Sequence, residues 1–295
     1  MNIARDAVEL PELDVAENAN RHTLGAILVQ EGKLSPADAD RVYDFQQKKR
    51  LRFGDAAVRL KLVRPADVQF ALSRQFDYPF LPARNRSISH ELIAAFEPFG
   101  ATAEAFRQMR AQLSLRWSNG SVAERTLAVL SSTAGDGRTF VAANLAVVFS
   151  QLGERTLLID ADLRRGRLHE LFELENQSGV STILAGRMSA QEIQRIPALS
   201  NLFVLPSGPV PPNPQELLNR AAFRTLLDQV SHGFDIVVLD TSASEEGADC
   251  QIVASMAEAS VLVVRNNQTK LTALHSLEAL LKARKVTVAG AFMND

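Results

Sequence analysis

The residues best placed for chemistry are a glycine-containing turn and three aspartates. The segment STAGDGRTF, Ser132 to Phe140, follows the apolar run TLAVLSS and precedes the apolar stretch VAANLAVVFSQLG. Gly135 and Gly137 permit a tight turn that brings backbone N–H groups against phosphate oxygens, and a helix starting here adds the positive end of its dipole. Ala134, Gly135, Asp136, Gly137, Arg138, Thr139 and Phe140 form the candidate cradle, with the Thr139 hydroxyl placed to ligate magnesium. The strict pattern G-x-x-x-x-G-K-[ST] is broken twice: Ser132 stands at the first glycine and Arg138 at the lysine. Arginine keeps the charge and can grip phosphate with two donors, but it is bulkier and places its charge differently. An ordinary glycine-containing strand-to-helix turn would share these glycines.

The carboxylates strengthen the phosphate reading. RTLLID ends at Asp160, and Asp162 follows two residues later, so both leave the strand toward one side. Beside a triphosphate, one could hold magnesium while the other accepts a proton from an incoming hydroxyl. DIVVLD ends at Asp240, where a carboxylate can orient the metal and its waters. A solvated strand-end turn would explain any one of these acids, but three strand ends supplying a phosphate loop and acids together is harder to attribute to chance. Asn294, at the end of the last apolar run, places an amide where it could read a purine edge; alternatively it is simply a polar terminal residue.

These residues need elements to position them. Runs without hydrophobic alternation (TLAVLSS, TLLID, LFVLPSG, DIVVLD, SVLVVR, VTVAGAFMND) read as strands buried on both faces, with helices between them as parallel crossovers. The expected fold is a doubly wound, mostly parallel α/β sheet over 103–295, with ligands beyond the carboxyl ends of its strands. Upstream, LGAILVQEGKLSPAD and FGDAAVRLKLVRPAD align Gly25 with Gly54, Pro36 with Pro65 and Asp38 with Asp67, a period of 29 residues. Two helical pairs over 21–82 would form one small all-helical domain. Residues 1–20 read as a disordered tail and 83–102 as a linker. A net charge of −2 gives no electrostatic case for nucleic acid. A lone Cys250 excludes a disulfide framework, and no apolar run is long enough to cross a bilayer, so a cytoplasmic protein without direct membrane insertion is expected.

From about Ala103 to Asp295 the chain resembles the bacterial tyrosine kinases (BY-kinases) of exopolysaccharide synthesis, especially the chain-length-determinant kinases of the EpsG type. These are relatives of the MinD/ParA group of P-loop ATPases. Beside the loop, LLIDADLRR is similar to the family's second Walker motif, IVVLDT to its Walker B strand, and PSGPVPPNPQELL to a hallmark loop. Glu104, Arg107 and Arg110 fit the E-x-x-R-x-x-R pattern that mediates ring assembly, so the resemblance implies a homo-oligomer. It also implies ATP with Mg2+, Asp160 as base or metal-organising carboxylate, Asp162 and Asp240 beside the metal, and Asn294 near adenine. The implied partner is a membrane polysaccharide co-polymerase, through which the protein would be membrane-associated.

The chain departs from the family at Arg138, at Ser242 and Ala243 where two prolines usually follow Walker B, and in its tyrosines: Tyr43 and Tyr78 are the only ones, both in the repeat domain. A regulatory scaffold that binds ATP without transferring phosphate, and a ParA/MinD-like ATPase, therefore stand as alternatives to the kinase. The first domain is similar to the N-terminal module of type II secretion ATPases. Some of those bind cyclic di-GMP; a docking module is the alternative.

Overall fold

Every position of Thr126–Leu130, Thr156–Asp160 and Ile236–Asp240 is buried, as strands with apolar cover on both faces require. The computed structural model describes residues 23–76, 78–79, 81–117, 126–187 and 192–295; the tail expected at 1–20 lies outside them. The chain divides into two units, Met1–Phe80 and Leu81–Asp295.

The first unit contains α1 (Leu24–Gln30), α2 (Pro36–Lys49), α3 (Phe53–Arg59) and α4 (Pro65–Gln75). The sequence repeat persists in the backbone: equivalent turn residues Gly32 and Lys61 both take left-handed conformations, φ 65° and 56°. A Cβ on Gly25 would lie 3.0 Å from the Phe53 ring, and one on Gly54 2.6 Å from Val68 Cγ1. The aligned glycines thus mark close approaches around a core that includes Leu28, Val42, Ala57 and Ala71. Pro36 and Pro65 open the second helix of each copy, where a missing N–H costs nothing.

The second unit is built on a seven-stranded sheet of order β3-β4-β2-β5-β1-β6-β7. Its strands are β1 (Thr126–Leu130), β2 (Thr156–Asp160), β3 (Gln194–Arg195), β4 (Leu202–Leu205), β5 (Ile236–Asp240), β6 (Ala259–Arg265) and β7 (Val288–Asn294). All neighbours pair in parallel except the short edge strand β3, which runs antiparallel to β4. Two residues carry no readable pattern, so β3 had no sequence signal. Because β5 lies between β1 and β2, Asp240 emerges between the glycine turn after β1 and Asp160 at the end of β2; Asp160 and Asp240 are direct register partners.

Helix α7 (Arg138–Gln151) follows the glycine turn and is buried along nearly its whole length. A helix apolar all round must be covered on every side. One side meets the sheet; the other is covered by α5 (Ile93–Phe96) and α6 (Ala101–Trp117). The stretch read as a linker, 83–102, is therefore part of this unit's core. Buried Asn144 on α7 accepts from Ala94 N–H at 2.9 Å and donates to Glu91 O at 3.0 Å, while Gln151 donates to Ala94 O at 2.9 Å. The single helical turn that this stretch allows is present as Ile93–Phe96, but four residues are too short for a periodicity that would mark it as core. Among the described residues no helix is long and apolar enough to cross a membrane.

Candidate functional site

The glycine turn takes the tight, left-handed backbone its sequence suggests and leads into a helix. Gly135 and Gly137 take φ of 84° and 97°, left-handed values that favour glycine, and Gly137 caps α7 without a side-chain bond. A Cβ on Gly135 would meet nothing within 4 Å, so the mouth of the loop is open. A Cβ on Gly137 would lie 2.2 Å from Asn294 Nδ2. The Asn294 amide donates to Asp136 O at 3.1 Å, so Asn294 braces the loop from β7. Asp136 is buried and folds back, accepting from Thr133 N–H at 3.1 Å and from the Thr269 hydroxyl at 2.9 Å. Phe140 packs its ring against Phe106 at 5.8 Å, which leaves its backbone rather than its ring for any ligand.

Arg138 is 8% exposed. Its Nε donates to Thr241 O at 2.8 Å, and one terminal nitrogen donates to Ser131 Oγ at 2.5 Å and Thr133 O at 2.9 Å. The sequence reading aimed this whole side chain at phosphate. Instead the guanidinium ties the loop to the Walker B strand end, and only its second terminal nitrogen, with two of five donors, makes no bond to the described residues.

The acids sit beside this arginine. Asp240 has no exposed surface, and neither oxygen finds a hydrogen-bond partner of ordinary geometry. Burial pushes its carboxyl up to about 7, against the pull of the Thr139 hydroxyl and the Arg138 charge. Asp160, equally buried, accepts from Leu168 N–H at 3.1 Å and Asp162 N–H at 3.3 Å. Burial and then the Asp240 charge raise it well above the usual carboxylate range. Asp162 is drawn partly away from the ligand role expected of it: its Oδ1 accepts from Arg164 and Arg165 N–H at 3.1 and 3.0 Å, closing its own turn.

An unpartnered buried carboxylate is costly unless something neutralises it. Two bare Asp240 oxygens beside a threonine hydroxyl suit a hard divalent cation. No group of three acids, histidines or cysteines gathers into a metal site among the described residues. That still fits magnesium, which takes one or two protein oxygens and completes its shell with phosphates and water.

Several residues here were not singled out from sequence. Gly166 is needed because a Cβ would lie 2.7 Å from Asp160 Oδ2 and 2.4 Å from Ser207 Oγ; its place among arginines in LRRGRL was the available signal. Arg164 pairs with buried Asp249 through bonds of 2.7 and 3.2 Å, joining the loops after β2 and β5. Arg265 donates to Gly135 O at 3.1 Å. Glu245 accepts from Ala134 N–H at 2.7 Å. Glu104 and Arg107 bond each other at 2.7 and 2.9 Å, Arg107 also donates to Pro98 O, and Arg110 donates to Val148 O at 2.6 Å. Within one chain, then, this helix face is braced onto its own unit.

A glycine loop at a helix start, facing buried acids on two adjoining parallel strands, defines a P-loop ATP-binding protein. A family model described as an AAA domain matches residues 124–289. Tyrosine-protein kinase YwqD of Bacillus subtilis is 34% identical over 72% of this chain and 88% of its own length. Putative tyrosine-protein kinase CapB of Staphylococcus aureus is 29% identical over 72% and 92%. The chain belongs to the bacterial tyrosine-protein kinase family. The kinase domain of the Escherichia coli tyrosine kinase ETK superposes with TM-score 0.66 at 32% identity, over 72% of this chain and 82% of that one. The cell-division ATPase MinD of Pyrococcus furiosus shares the fold, with TM-score 0.51 at 23% identity over 58% and 72%.

Proposed function

We propose that this chain is an Mg2+- and ATP-dependent protein-tyrosine kinase that acts with a membrane polysaccharide co-polymerase to regulate exopolysaccharide chain length or export. The observation that carries the reading is the buried, unpartnered Asp240 between the phosphate loop and Asp160. Ala134–Thr139 would bind the phosphates through backbone N–H groups, Arg138 through its remaining donors. Thr139 and Asp240 would hold magnesium, with Asp162 close by and Asp160 left free to act as base; the metal would offset phosphate charge. In transfer, the bond from the γ-phosphorus to the ADP oxygen breaks as a bond to the tyrosine oxygen forms. The hydroxyl proton passes to Asp160, whose raised proton affinity suits that role.

Glu104, Arg107 and Arg110 are the proposed contact to a second copy, and Asn294 the proposed neighbour of adenine. The protein would work in the cytoplasm, held to the membrane by its partner. We read the first unit as a docking module; the comparisons lend no support to cyclic di-GMP. A second reading, an ATP-responsive scaffold without transfer, is favoured by one observation: three of Arg138's donors already serve the protein itself.

The deciding experiment incubates the protein with labelled ATP and magnesium, with and without the partner's cytoplasmic segment. Label on tyrosine that disappears in Asp160→Ala supports the kinase. Nucleotide binding without label under either condition supports the scaffold and overturns transfer.

A further inference from the structure

Four residues past Asp240 the chain begins a short 3₁₀ turn, Ser244–Glu246, stitched to the mouth of the phosphate loop. Ser244 N–H donates to Ser131 O at 3.0 Å and Glu245 N–H to Ser132 O at 3.1 Å. These bonds bring the exposed Glu245 carboxylate onto the backbone of Ala134, whose N–H donates to Oε1 at 2.7 Å. The neighbouring Glu246 is answered by Arg165 at 2.7 Å, whereas no lysine or arginine among the described residues pairs with Glu245. An exposed acid without a basic partner therefore occupies a backbone donor at the mouth of the phosphate loop.

Its position indicates which part of a nucleotide it meets. In a P-loop the inner phosphates lie against the N–H groups at the helix start, here Gly137 to Thr139. Ala134 lies on the side of the loop that Glu245 reaches from the segment after β5, so its N–H is the donor that a terminal phosphate held near Asp240 would meet. A diphosphate can settle in the deeper part of the cradle with Glu245 still in place. A triphosphate brings its last phosphate against the carboxylate and must displace it.

We propose that Glu245 sets the site's preference between nucleoside di- and triphosphate: it holds the Ala134 N–H in the resting site and so weakens ATP relative to ADP. The inference rests on reading the loop as a nucleotide site and adds a selectivity residue to it. Glu245 is exposed and its amide keeps the same shape and an acceptor oxygen, so Glu245→Gln should fold normally.

The test is calorimetric titration of ATP and of ADP, each with magnesium, into the wild type, Glu245→Gln and Glu245→Ala. The expected result is ATP affinity raised about fivefold in both variants, the size of one partly screened charge contact, with ADP affinity unchanged within about twofold. Added salt should narrow the ATP–ADP gap in the wild type and leave it unaltered in the variants. Equal changes for both nucleotides, or no change for either, overturn the selectivity role while leaving the nucleotide site intact. A wild type that binds neither nucleotide overturns the site and this inference together.

Discussion

Burial sets the behaviour of the Asp240 carboxylate. Its folded pKa of about 7 stands above the 3.8 of an exposed aspartate. Between those values the folded protein keeps a proton that the unfolded chain releases, so stability is greatest at the acid end and declines as pH climbs through 7. Asp160 is shifted the same way and adds to the slope. Ligand-free protein should therefore melt at a lower temperature at about pH 8 than at about pH 6, a difference on the order of a few kcal/mol. Thermal denaturation of Asp240→Asn should show a flatter profile; an unchanged slope would mean the acid is not strained. At the residue level the backbone was readable: Gly135 and Gly137 take the left-handed φ that favours glycine, and Asp160 and Asp240 stand side by side at adjoining strand ends. Glu245 and Gly166 were not legible, because what each does depends on a segment distant in sequence.

Among the elements, the parallel strands could be read directly, since unbroken apolar runs between helices admit few other arrangements. The covering of α7 could not. Its all-round apolar sequence implied a cover, but the cover came from the Pro- and Ser-containing stretch before α6. Two replacements probe this scale. Gly137→Ala would drive a Cβ into the Asn294 amide, 2.2 Å away, at a left-handed φ. It should destabilise the protein by about 1–3 kcal/mol and abolish nucleotide binding, as chemical denaturation and a binding titration would reveal. Gly54→Ala would press on Val68 in the first unit. Its cost of about 1–3 kcal/mol should appear as a lower first melting step while ATP affinity holds; a loss of affinity would contradict the assignment of the site to the second unit.

In the whole molecule, a helical unit proposed to dock a partner precedes a P-loop kinase unit proposed to self-assemble through α6. Glu104 is exposed and, within one chain, holds Arg107. Glu104→Arg should shift sedimentation of an assembled sample toward the single chain; an unaltered distribution would move the interface elsewhere. The repeat foretold the helical unit from spacing alone, whereas assembly rests on contacts to other copies that no single chain displays. The central claim remains that the loop, Arg138 and the two buried acids act together on one metal-bound triphosphate. Its most direct test is titration of ATP into wild type, Arg138→Ala and Asp240→Asn, with magnesium and with a chelator. The expected result is magnesium-dependent binding in the wild type, a loss of at least about tenfold in Arg138→Ala, and loss of the magnesium dependence in Asp240→Asn. Equal affinity in all three proteins, or binding indifferent to magnesium throughout, would contradict it.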